Sequence, residues 1–340
     1  MNARRTFRSI FPPLLIITTA ALVAVGCGSS GSGSKKSETK LSLVSYSTPK
    51  EAYAKLLPAF AKTGAGEGVT FEQSYGASGD QSRAVEAGLN ADVVNFSLEP
   101  DMTRLVDAKK VAGDWSAGKY KGMVTDSVVV FVVRKGNPKK VKTWNDLTKK
   151  GTEIVTPNPF TSGGARWNLM AGYGAQLHAG KSDAEAFAYL KDLLGNTAVQ
   201  PASAREALSV FSQGKGDVLL SYENEAIFAK LKGEDIDFVV PDTTILIENP
   251  LAVSTTSKHP GQAKAFVEYA LSAPAQEIYG DNGYRPVDAD VLKTFDFPTP
   301  NDLFTIADLG GWPKVMDTFF DKDHGSLLEV EQNLGQATSK

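Results

Sequence analysis

Short β-rich runs alternate with amphipathic stretches along the chain from Leu41 onward. Apolar runs of this length, bounded by polar or turn-forming residues, predict strands. The runs that predict strands cover residues 43–46, 69–71, 92–96, 127–133, 153–155, 218–220 and 238–240. Because strands that alternate with helical stretches are typical of α/β proteins, the pattern predicts an α/β fold.

The stretch from Ser182 to Leu194 has the spacing of a helix with one apolar face. Ser182 and Glu185 form the pattern of a capping box at its start, and Gly195 followed by Asn196 ends it. Similar patterns predict further helices over residues 50–61, 204–213, 223–232 and 262–271.

The length of the chain, 340 residues, exceeds what one core usually covers, yet no long linker divides the predicted elements. Two lobes joined by short crossing segments resolve this conflict. We expect the crossings near residues 124–128 and 245–253. Residues 41–126 and 248–340 then form a discontinuous lobe 1, and residues 127–247 form an inserted lobe 2.

The first residues have the order of a secretory signal peptide, predicted over residues 1–26. Arg4, Arg5 and Arg8 precede an apolar run over residues 14–25. A membrane-spanning helix needs about 20 such residues, so the run is too short for one. The Arg4-Arg5 pair also resembles the start of a twin-arginine signal, so export by the Sec route and export by the twin-arginine route both stay open.

The single cysteine follows this apolar run directly. Ala24-Val25-Gly26-Cys27 resembles a bacterial lipobox, in which the thiol of the cysteine is lipidated and cleavage leaves the cysteine as the first residue. The Gly/Ser-rich sequence after it is typical of a flexible linker. We therefore expect a lipid anchor at Cys27, a tether over residues 27–40 and a location on the outer face of the cell membrane.

Composition and charge narrow the classes of function. One cysteine excludes an internal disulfide, and with the scattered His178, His259 and His324 it cannot form a zinc cluster. The 36 basic and 39 acidic residues argue against general nucleic-acid binding, which usually needs a basic excess. Removal of residues 1–26 removes three arginines and leaves a net charge of −6.

Small polar residues precede a helical pattern at three places in the chain. These places are Ser78-Gly79-Asp80, Ser162-Gly163-Gly164-Ala165 and Ser203-Ala204-Arg205. The first backbone N–H groups of a helix have no intrahelical acceptor, and the helix dipole adds partial positive charge there. If the three helix starts converge, they form an anion site built from N–H groups.

Other side chains near these starts are weaker candidates. The hydroxyl of Ser162 can donate a hydrogen bond in addition to the backbone. Tyr222 follows the strand predicted over residues 218–220 and either points into the same cleft or packs as a half-buried aromatic. Arg166 and Arg205 lie in first helical turns, where each pairs either with the anion or with other protein groups.

Two enzymatic interpretations are less well supported. Gly180-Lys181-Ser182 suggests a phosphate loop, but Ala175 replaces the first glycine that the motif requires, and a helix end followed by a helix start explains the sequence. A hydrolase needs a nucleophile and a base within hydrogen-bond reach. The sequence has no G-x-S-x-G motif, and no histidine lies near the Ser/Gly segments in sequence.

Several consecutive segments resemble the periplasmic sulfate-binding proteins that serve ABC importers. The segments are Val44-Ser45-Tyr46, Tyr75-Gly76-Ala77-Ser78-Gly79, Arg134-Lys135-Gly136-Asn137-Pro138, Trp144-Asn145-Asp146-Leu147, Thr156-Pro157-Asn158-Pro159, Ser162-Gly163-Gly164-Ala165-Arg166-Trp167-Asn168, Gly216-Asp217-Val218-Leu219, Glu223-Asn224-Glu225-Ala226 and Tyr284-Arg285-Pro286. The resemblance implies a type II periplasmic-binding-protein fold, in which two lobes, each a mixed sheet flanked by helices, close on a dehydrated sulfate.

The resemblance also implies a set of ligand-binding positions. Backbone N–H groups at helix starts, a serine hydroxyl and an indole N–H hold the ligand in that family. The matching positions here are Ser47, Ser78, Ser162, Gly163, Gly164 and Ala204. Ser47 replaces a frequent aspartate, and Tyr222 replaces the indole donor, so a phenol, a water molecule or nothing takes its place.

The resulting expectation is a monomeric, non-enzymatic receptor that delivers sulfate to an ABC permease. No cofactor or metal is expected. Sulfate is fully ionised and only accepts hydrogen bonds, which suits a site made of donors. Thiosulfate or another oxyanion such as molybdate is the alternative ligand, and a secreted hydrolase or transferase on the same scaffold is the alternative class.

Overall fold

The computed structural model describes residues 38–338 and has an 11-stranded mixed sheet flanked by helices. The strands are Thr39–Tyr46 (β1), Val69–Gly76 (β2), Val93–Asn95 (β3), Met123–Arg134 (β4), Ile154–Val155 (β5), Thr197–Val199 (β6), Val218–Tyr222 (β7), Ile236–Val239 (β8), Thr243–Val253 (β9), Arg285–Pro286 (β10) and Asp302–Phe304 (β11). The predicted α/β class is confirmed.

The helices lie between the strands and at the C-terminal end of the described chain. They are Lys50–Ala61 (α1), Ser78–Glu86 (α2), Glu99–Asp107 (α3), Trp144–Leu147 (α4), Gly163–His178 (α5), Asp183–Gly195 (α6), Ala204–Ser212 (α7), Glu223–Leu231 (α8), Pro260–Ala270 (α9), Ala273–Asp281 (α10), Ala289–Leu292 (α11), Gly311–Val315 (α12) and Ser326–Asn333 (α13). A 3₁₀ turn, Ile306–Leu309, precedes α12, and a π-helical turn, Met316–Phe320, follows it.

The helix predicted from Ser182 onward is α6, and its capping box is present. The backbone N–H of Glu185 donates to the Ser182 hydroxyl, and the carboxylate of Glu185 accepts from the Ser182 N–H. Gly180, with φ of +80°, lies between α5 and α6, where a left-handed backbone favours glycine. Gly180-Lys181-Ser182 is therefore a helix end and a helix start, and the rejected phosphate loop has no structural basis.

Two long antiparallel strands, β4 and β9, run through the middle of the sheet. The strand order is β2-β1-β3-β9-β4-β7-β5-β6, with β8, β10 and β11 pairing beside this path. The N-terminal part of β4 pairs with β9 and β10, and its C-terminal part pairs with β7 and β8. Strands β4 and β9 therefore connect two groups of elements. The first group contains β1, β2, β3, α1, α2, α3, α9 and α10, and the second contains β5, β6, β7, β8, α4, α5, α6, α7 and α8.

Strand β4 is apolar over most of its length because both of its faces are covered in the second group. Val129, Phe131 and Val133 face one core, with Trp144 and Trp167 among its members. The alternate residues Val128, Val130 and Val132 face another core with Phe211. A strand buried on both faces loses the apolar–polar alternation of a half-exposed strand, which explains the continuous apolar run.

The first group has cores on both faces of β1 and β3 in the same way. Leu41, Leu43 and Val93 pack with aromatic residues of α1, α9 and α10. Val44 and Val94 pack on the other face with residues of α3. Each group is thus a sheet between helical layers.

The C-terminal segment packs against helix α5. Phe304 in β11, Trp312 in α12 and Leu327 in α13 belong to the core that contains Trp167 of α5. The predicted division into lobes stays a prediction, and this packing favours a revised form in which residues 302–338 join the second group. The segment has no strong strand signal and its helices are short, so its place in the fold depends on distant contacts that a local pattern does not show.

The N-terminal predictions concern residues at and before the start of the described chain. Residues 1–26, Cys27 and most of the predicted tether lie outside the described residues. Strand β1 begins at Thr39 and pairs with Val69 of β2, so the tether prediction over residues 27–40 extends two residues into the sheet. Among the helices of residues 38–338, none is both long and apolar enough to cross a membrane.

The carboxyl group of Glu331 in α13 is buried in this C-terminal packing. Its Oε2 accepts a hydrogen bond from Gln200 Nε2 at 2.8 Å, and its Oε1 has no partner among the described residues. Burial raises the pKa of Glu331 to about 7. The folded state therefore binds this proton more tightly than the unfolded state does.

We predict that Glu331→Gln reduces the pH dependence of stability. Because the pKa of Glu331 is raised on folding, the wild-type free energy of unfolding falls as the pH rises from about 4.5 to 7. Urea unfolding at pH 5 and pH 8 measures this fall, which is expected to be smaller in the variant by about 1–3 kcal/mol. A slope remains because burial and Glu248 raise the pKa of Asp126 to about 7.

Glu329→Gln is the matched control, because Glu329 lies on the same helix but is exposed. Its pH profile is expected to follow that of the wild type. A Glu331→Gln profile that is parallel to the wild-type profile would contradict the assignment.

Candidate functional site

Three helix N-termini meet at one small cavity between the two groups of elements. The cavity is lined by Tyr46, Ser47, Thr48, Ala77, Ser78, Ser97, Ser162, Gly164, Ser203, Ala204 and Tyr222. These residues include the starts of α2, α5 and α7. The cavity is small, with a volume of about 10 Å³, which favours a compact ligand over an extended one.

The start of α5 supplies a hydroxyl that the protein itself does not use. Ser162 is the N-cap residue, but its side chain makes no capping hydrogen bond, and its hydroxyl bonds to no other described residue. Its backbone N–H donates to the Asn158 carbonyl at 2.9 Å. Asn158 Nδ2 in turn donates to the carbonyl of Ala337 at 2.9 Å, so the C-terminal segment supports this loop.

The two glycines of α5 have different surroundings. A Cβ atom at Gly163 would overlap the side chains of Leu98 and Ser97, so this position requires glycine for packing. A Cβ atom at Gly164 would lie 3.4 Å from Ser162 Oγ and 3.6 Å from Ala204 Cβ, which are ordinary contacts. Gly164 lines the cavity, whereas Gly163 lies behind it.

The start of α2 contributes its backbone, because the hydroxyl of Ser78 has a structural role. Ser78 Oγ donates to Oδ2 of the buried Asp101 at 2.6 Å and accepts from the Ser97 N–H at 2.9 Å. The next residue, Gly79, donates its N–H to the Thr161 carbonyl at 3.1 Å. This bond joins the start of α2 to the loop before α5.

The start of α7 is capped by its own serine. Ser203 Oγ accepts from the Glu206 N–H at 3.2 Å, and Ala204 is the first residue of the helix. The N–H of Ala204, like those of Ser78 and Gly164, lies in a first turn and has no intrahelical acceptor.

Arg205 beside it binds protein groups. Its guanidinium bonds to the Glu51 carboxylate at 2.7 and 2.8 Å, to the buried Glu225 carboxylate at 2.9 Å and to the Thr48 carbonyl at 3.0 Å. Two carboxylates and one guanidinium leave no excess positive charge here. Arg205 therefore holds the loop with Ser47 and Thr48 against α7, and the cavity lining contains no cationic side chain.

Arg166 is also directed at protein atoms. Its Nε donates to the Pro159 carbonyl at 2.8 Å, and its guanidinium lies over the ring of Phe320. Burial lowers the pKa of Arg166 to about 10, which leaves it charged at neutral pH. Of the two roles left open for the arginines, pairing with protein groups is the one found here.

The phenol of Tyr222 points at a serine. Tyr222 is fully buried, and its hydroxyl donates to Ser97 Oγ at 3.2 Å. Burial raises the pKa of Tyr222 well above its usual value, so the phenol stays protonated. The Ser97 carbonyl accepts from Trp167 Nε1 at 2.8 Å and from Asn249 Nδ2 at 3.0 Å, which fixes the serine backbone.

Most of the predicted site residues come together at this cavity. Ser47, Ser78, Ser162, Gly164, Ala204 and Tyr222 line it. The lining also includes Thr48 and Ser97, which the sequence did not single out, and Ser203 and Tyr46, which it named only within longer segments. Ser97 follows β3 as Ser47 follows the neighbouring parallel strand β1, and residues at the carboxyl ends of such strands often meet at a ligand.

No metal site is evident among residues 38–338, where no group of three or more His, Cys, Asp or Glu side chains is placed to hold an ion. The lining of the cavity has N–H and O–H groups and no charged side chain, which suits an anion.

Comparisons with known proteins agree with this description. Residues 41–285 match the family model described as bacterial extracellular solute-binding protein. A sulfate-binding protein from Synechococcus elongatus is 39% identical over 98% of this chain and 99% of its own length. A thiosulfate-binding protein from Escherichia coli is 35% identical over 83% of this chain and 88% of its own length.

A solved structure extends the likeness to three dimensions. The sulfate-binding protein SubI from Mycobacterium tuberculosis is 47% identical, with a TM-score of 0.81, over 83% of this chain and 100% of its own. The fold is thus the predicted periplasmic-binding-protein fold. Because the family model covers more than half of the chain and the relatives cover most of it, the chain belongs to the bacterial extracellular solute-binding proteins.

Proposed function

We propose that this chain captures sulfate outside the cytoplasm and delivers it to the permease of an ABC importer. The observation that carries the proposal is the convergence of three helix starts and the free Ser162 hydroxyl on one small cavity whose lining contains no carboxylate. Such a cavity offers donors to each oxygen of a compact dianion.

The lack of a carboxylate in the lining favours sulfate over phosphate. Phosphate carries a proton at neutral pH and needs an acceptor for it. A donor that is left unpaired in a closed cavity costs about 1–3 kcal/mol, which corresponds to roughly tenfold in affinity. Sulfate carries no proton and avoids this cost.

The relatives support the same ligand class. The Synechococcus and Mycobacterium proteins are named for sulfate, and the Escherichia coli relative for thiosulfate. Thiosulfate is therefore the alternative ligand, and molybdate is a more distant one. We propose a monomeric receptor without enzymatic activity, which fits a family of solute-binding proteins.

We propose that Cys27 anchors the receptor by a lipid to the outer face of the cell membrane. The lipobox-like Ala24-Val25-Gly26-Cys27 and the Gly/Ser-rich sequence after it support this anchor. A tethered receptor stays close to a permease in the same membrane, which raises its effective concentration there.

A competition titration tests the ligand. We predict that calorimetry at pH 7.5 gives the tightest binding for sulfate, with phosphate about tenfold weaker, because the lining has no carboxylate to accept the phosphate proton and a hydroxyl that accepts it is lost as a donor. Thiosulfate and molybdate are measured in the same series. Tighter binding of phosphate or molybdate than of sulfate would refute the proposal, and tighter binding of thiosulfate would select the alternative.

We predict that Ser162→Ala weakens sulfate binding about 10- to 100-fold, because a hydrogen bond to a charged group contributes about 1.5–3 kcal/mol.

Gly164→Ala is expected to abolish binding, because its methyl group fits among Ser162, Ala204 and Tyr222 but occupies ligand space. It is a sharper test than a Gly163 variant, which would clash with Leu98.

Calorimetry measures both affinities, and thermal unfolding checks that the variants fold. Gly195→Ala is the control, because a Cβ there meets no atom within 4 Å. If Gly164→Ala binds sulfate with wild-type affinity, the ligand does not bind in this cavity.

We predict that Cys27→Ser abolishes incorporation of a fatty acid into the protein, because the thiol is the group that carries the lipid. Labelling of cells that express each form with a radioactive fatty acid measures the change. Ser29→Ala, two residues along the tether, is the control and is expected to be labelled like the wild type. A wild-type protein without label, or a Cys27→Ser protein labelled as strongly as the wild type, would exclude the anchor.

A further inference from the structure

The hydroxyl of Ser97 lies where the two groups of elements meet at the cavity. Ser97 lines the cavity and is 2% exposed. Its Oγ is next to the first turn of α5, because a Cβ atom at Gly163 would overlap it. Its backbone is fixed on both sides by Ser78, Trp167 and Asn249. The position of this hydroxyl is therefore well defined.

One side of the Ser97 hydroxyl is already occupied. Its oxygen accepts the proton of Tyr222 at 3.2 Å. Within residues 38–338 its own proton has no acceptor. A hydroxyl has one donor and two acceptor positions, and an incoming donor restricts the directions that its own proton can take. Among the groups around it, the open cavity is the space left for that proton.

We propose that Ser97 donates a hydrogen bond to the bound oxyanion and that Tyr222 fixes Ser97 in this donor orientation. The proposal rests on the proposed function, since it requires an oxyanion in the cavity. The Tyr222 phenol then acts on the ligand indirectly: it donates to Ser97, and Ser97 donates to the ligand. We call this chain of two hydrogen bonds the relay. In this arrangement Ser97 is the donor to the ligand on the side where Tyr222 replaces the indole of the resembling family.

The relay also contributes to ligand selectivity. A serine hydroxyl that is free to rotate can accept the proton of a protonated oxyanion such as phosphate. While Tyr222 donates to it, one of its two acceptor positions is filled, and the orientation in which the Ser97 proton points at the ligand is favoured over the one in which the remaining acceptor position does. The phenol stays a donor because burial keeps it protonated. A fully ionised oxyanion is favoured as a result.

Two variants separate the parts of the relay. We expect Ser97→Ala to weaken sulfate binding about tenfold or more, because it removes a hydrogen bond to a charged ligand. Tyr222→Phe keeps the serine but frees it to rotate. We expect this variant to lose only a few-fold in sulfate affinity, since neighbouring hydrogen bonds polarise one another modestly. Its ratio of sulfate to phosphate affinity is expected to fall about tenfold.

Calorimetry with sulfate and with inorganic phosphate measures these values for the wild type and each variant. Ser221→Ala and Tyr279→Phe are matched controls, because both residues are equally buried but do not line the cavity. Thermal unfolding of all variants separates a loss of ligand contact from a loss of folding. A merely structural role of Tyr222 would lower both affinities together and leave their ratio unchanged.

The outcomes distinguish this inference from the proposed function. If the wild type binds neither sulfate nor thiosulfate, the proposed function fails. If the wild type binds sulfate and Ser162→Ala weakens it while Ser97→Ala does not, only the donor role of Ser97 fails. If the selectivity ratio of Tyr222→Phe equals that of the wild type, the orienting role of Tyr222 is refuted.

Discussion

The constraint on which this structure depends is a set of hydrogen-bond donors that face a closed cavity without acceptors for them. The first N–H groups of α2, α5 and α7 cannot be satisfied within their helices. Burial of such groups is unfavourable unless a partner supplies electron pairs. The cavity between them therefore suits water or an anion, either of which can accept hydrogen bonds from these groups.

The protein supplies those donors without placing a cation at the cavity. Arg205, the cationic side chain that lies nearest in sequence to Ala204, is bonded to Glu51 and Glu225. Because the carboxylates neutralise it, the guanidinium acts as a clamp between two segments. Further bonds between the groups, from Gly79 to Thr161 and from Trp167 to Ser97, have the same effect. These bonds join the two groups of elements and leave the donors that line the cavity available.

The sequence predicted the elements that depend on local pattern and missed those that depend on distant contacts. The capping box of Ser182 and the three helix starts are local signals, and the structure contains each of them. The hydroxyl of Ser78, by contrast, donates to Asp101, which lies 23 positions away in the sequence, and no local pattern shows this partner. The role of Ser97 and the packing of Trp312 against Trp167 likewise arise only in the folded chain.

The charge of the chain explains why the donors have to be local. If residues 1–26 are removed, the net charge is −6, so the overall field repels a dianion. At physiological ionic strength this field is screened over about 8 Å, whereas an N–H group at hydrogen-bond distance acts within the closed cavity. Each bond to a charged ligand contributes about 1.5–3 kcal/mol, and most of the sum is offset by dehydration of the dianion. The small remainder depends on geometry, because each bond requires its donor to lie at hydrogen-bond distance from the ligand.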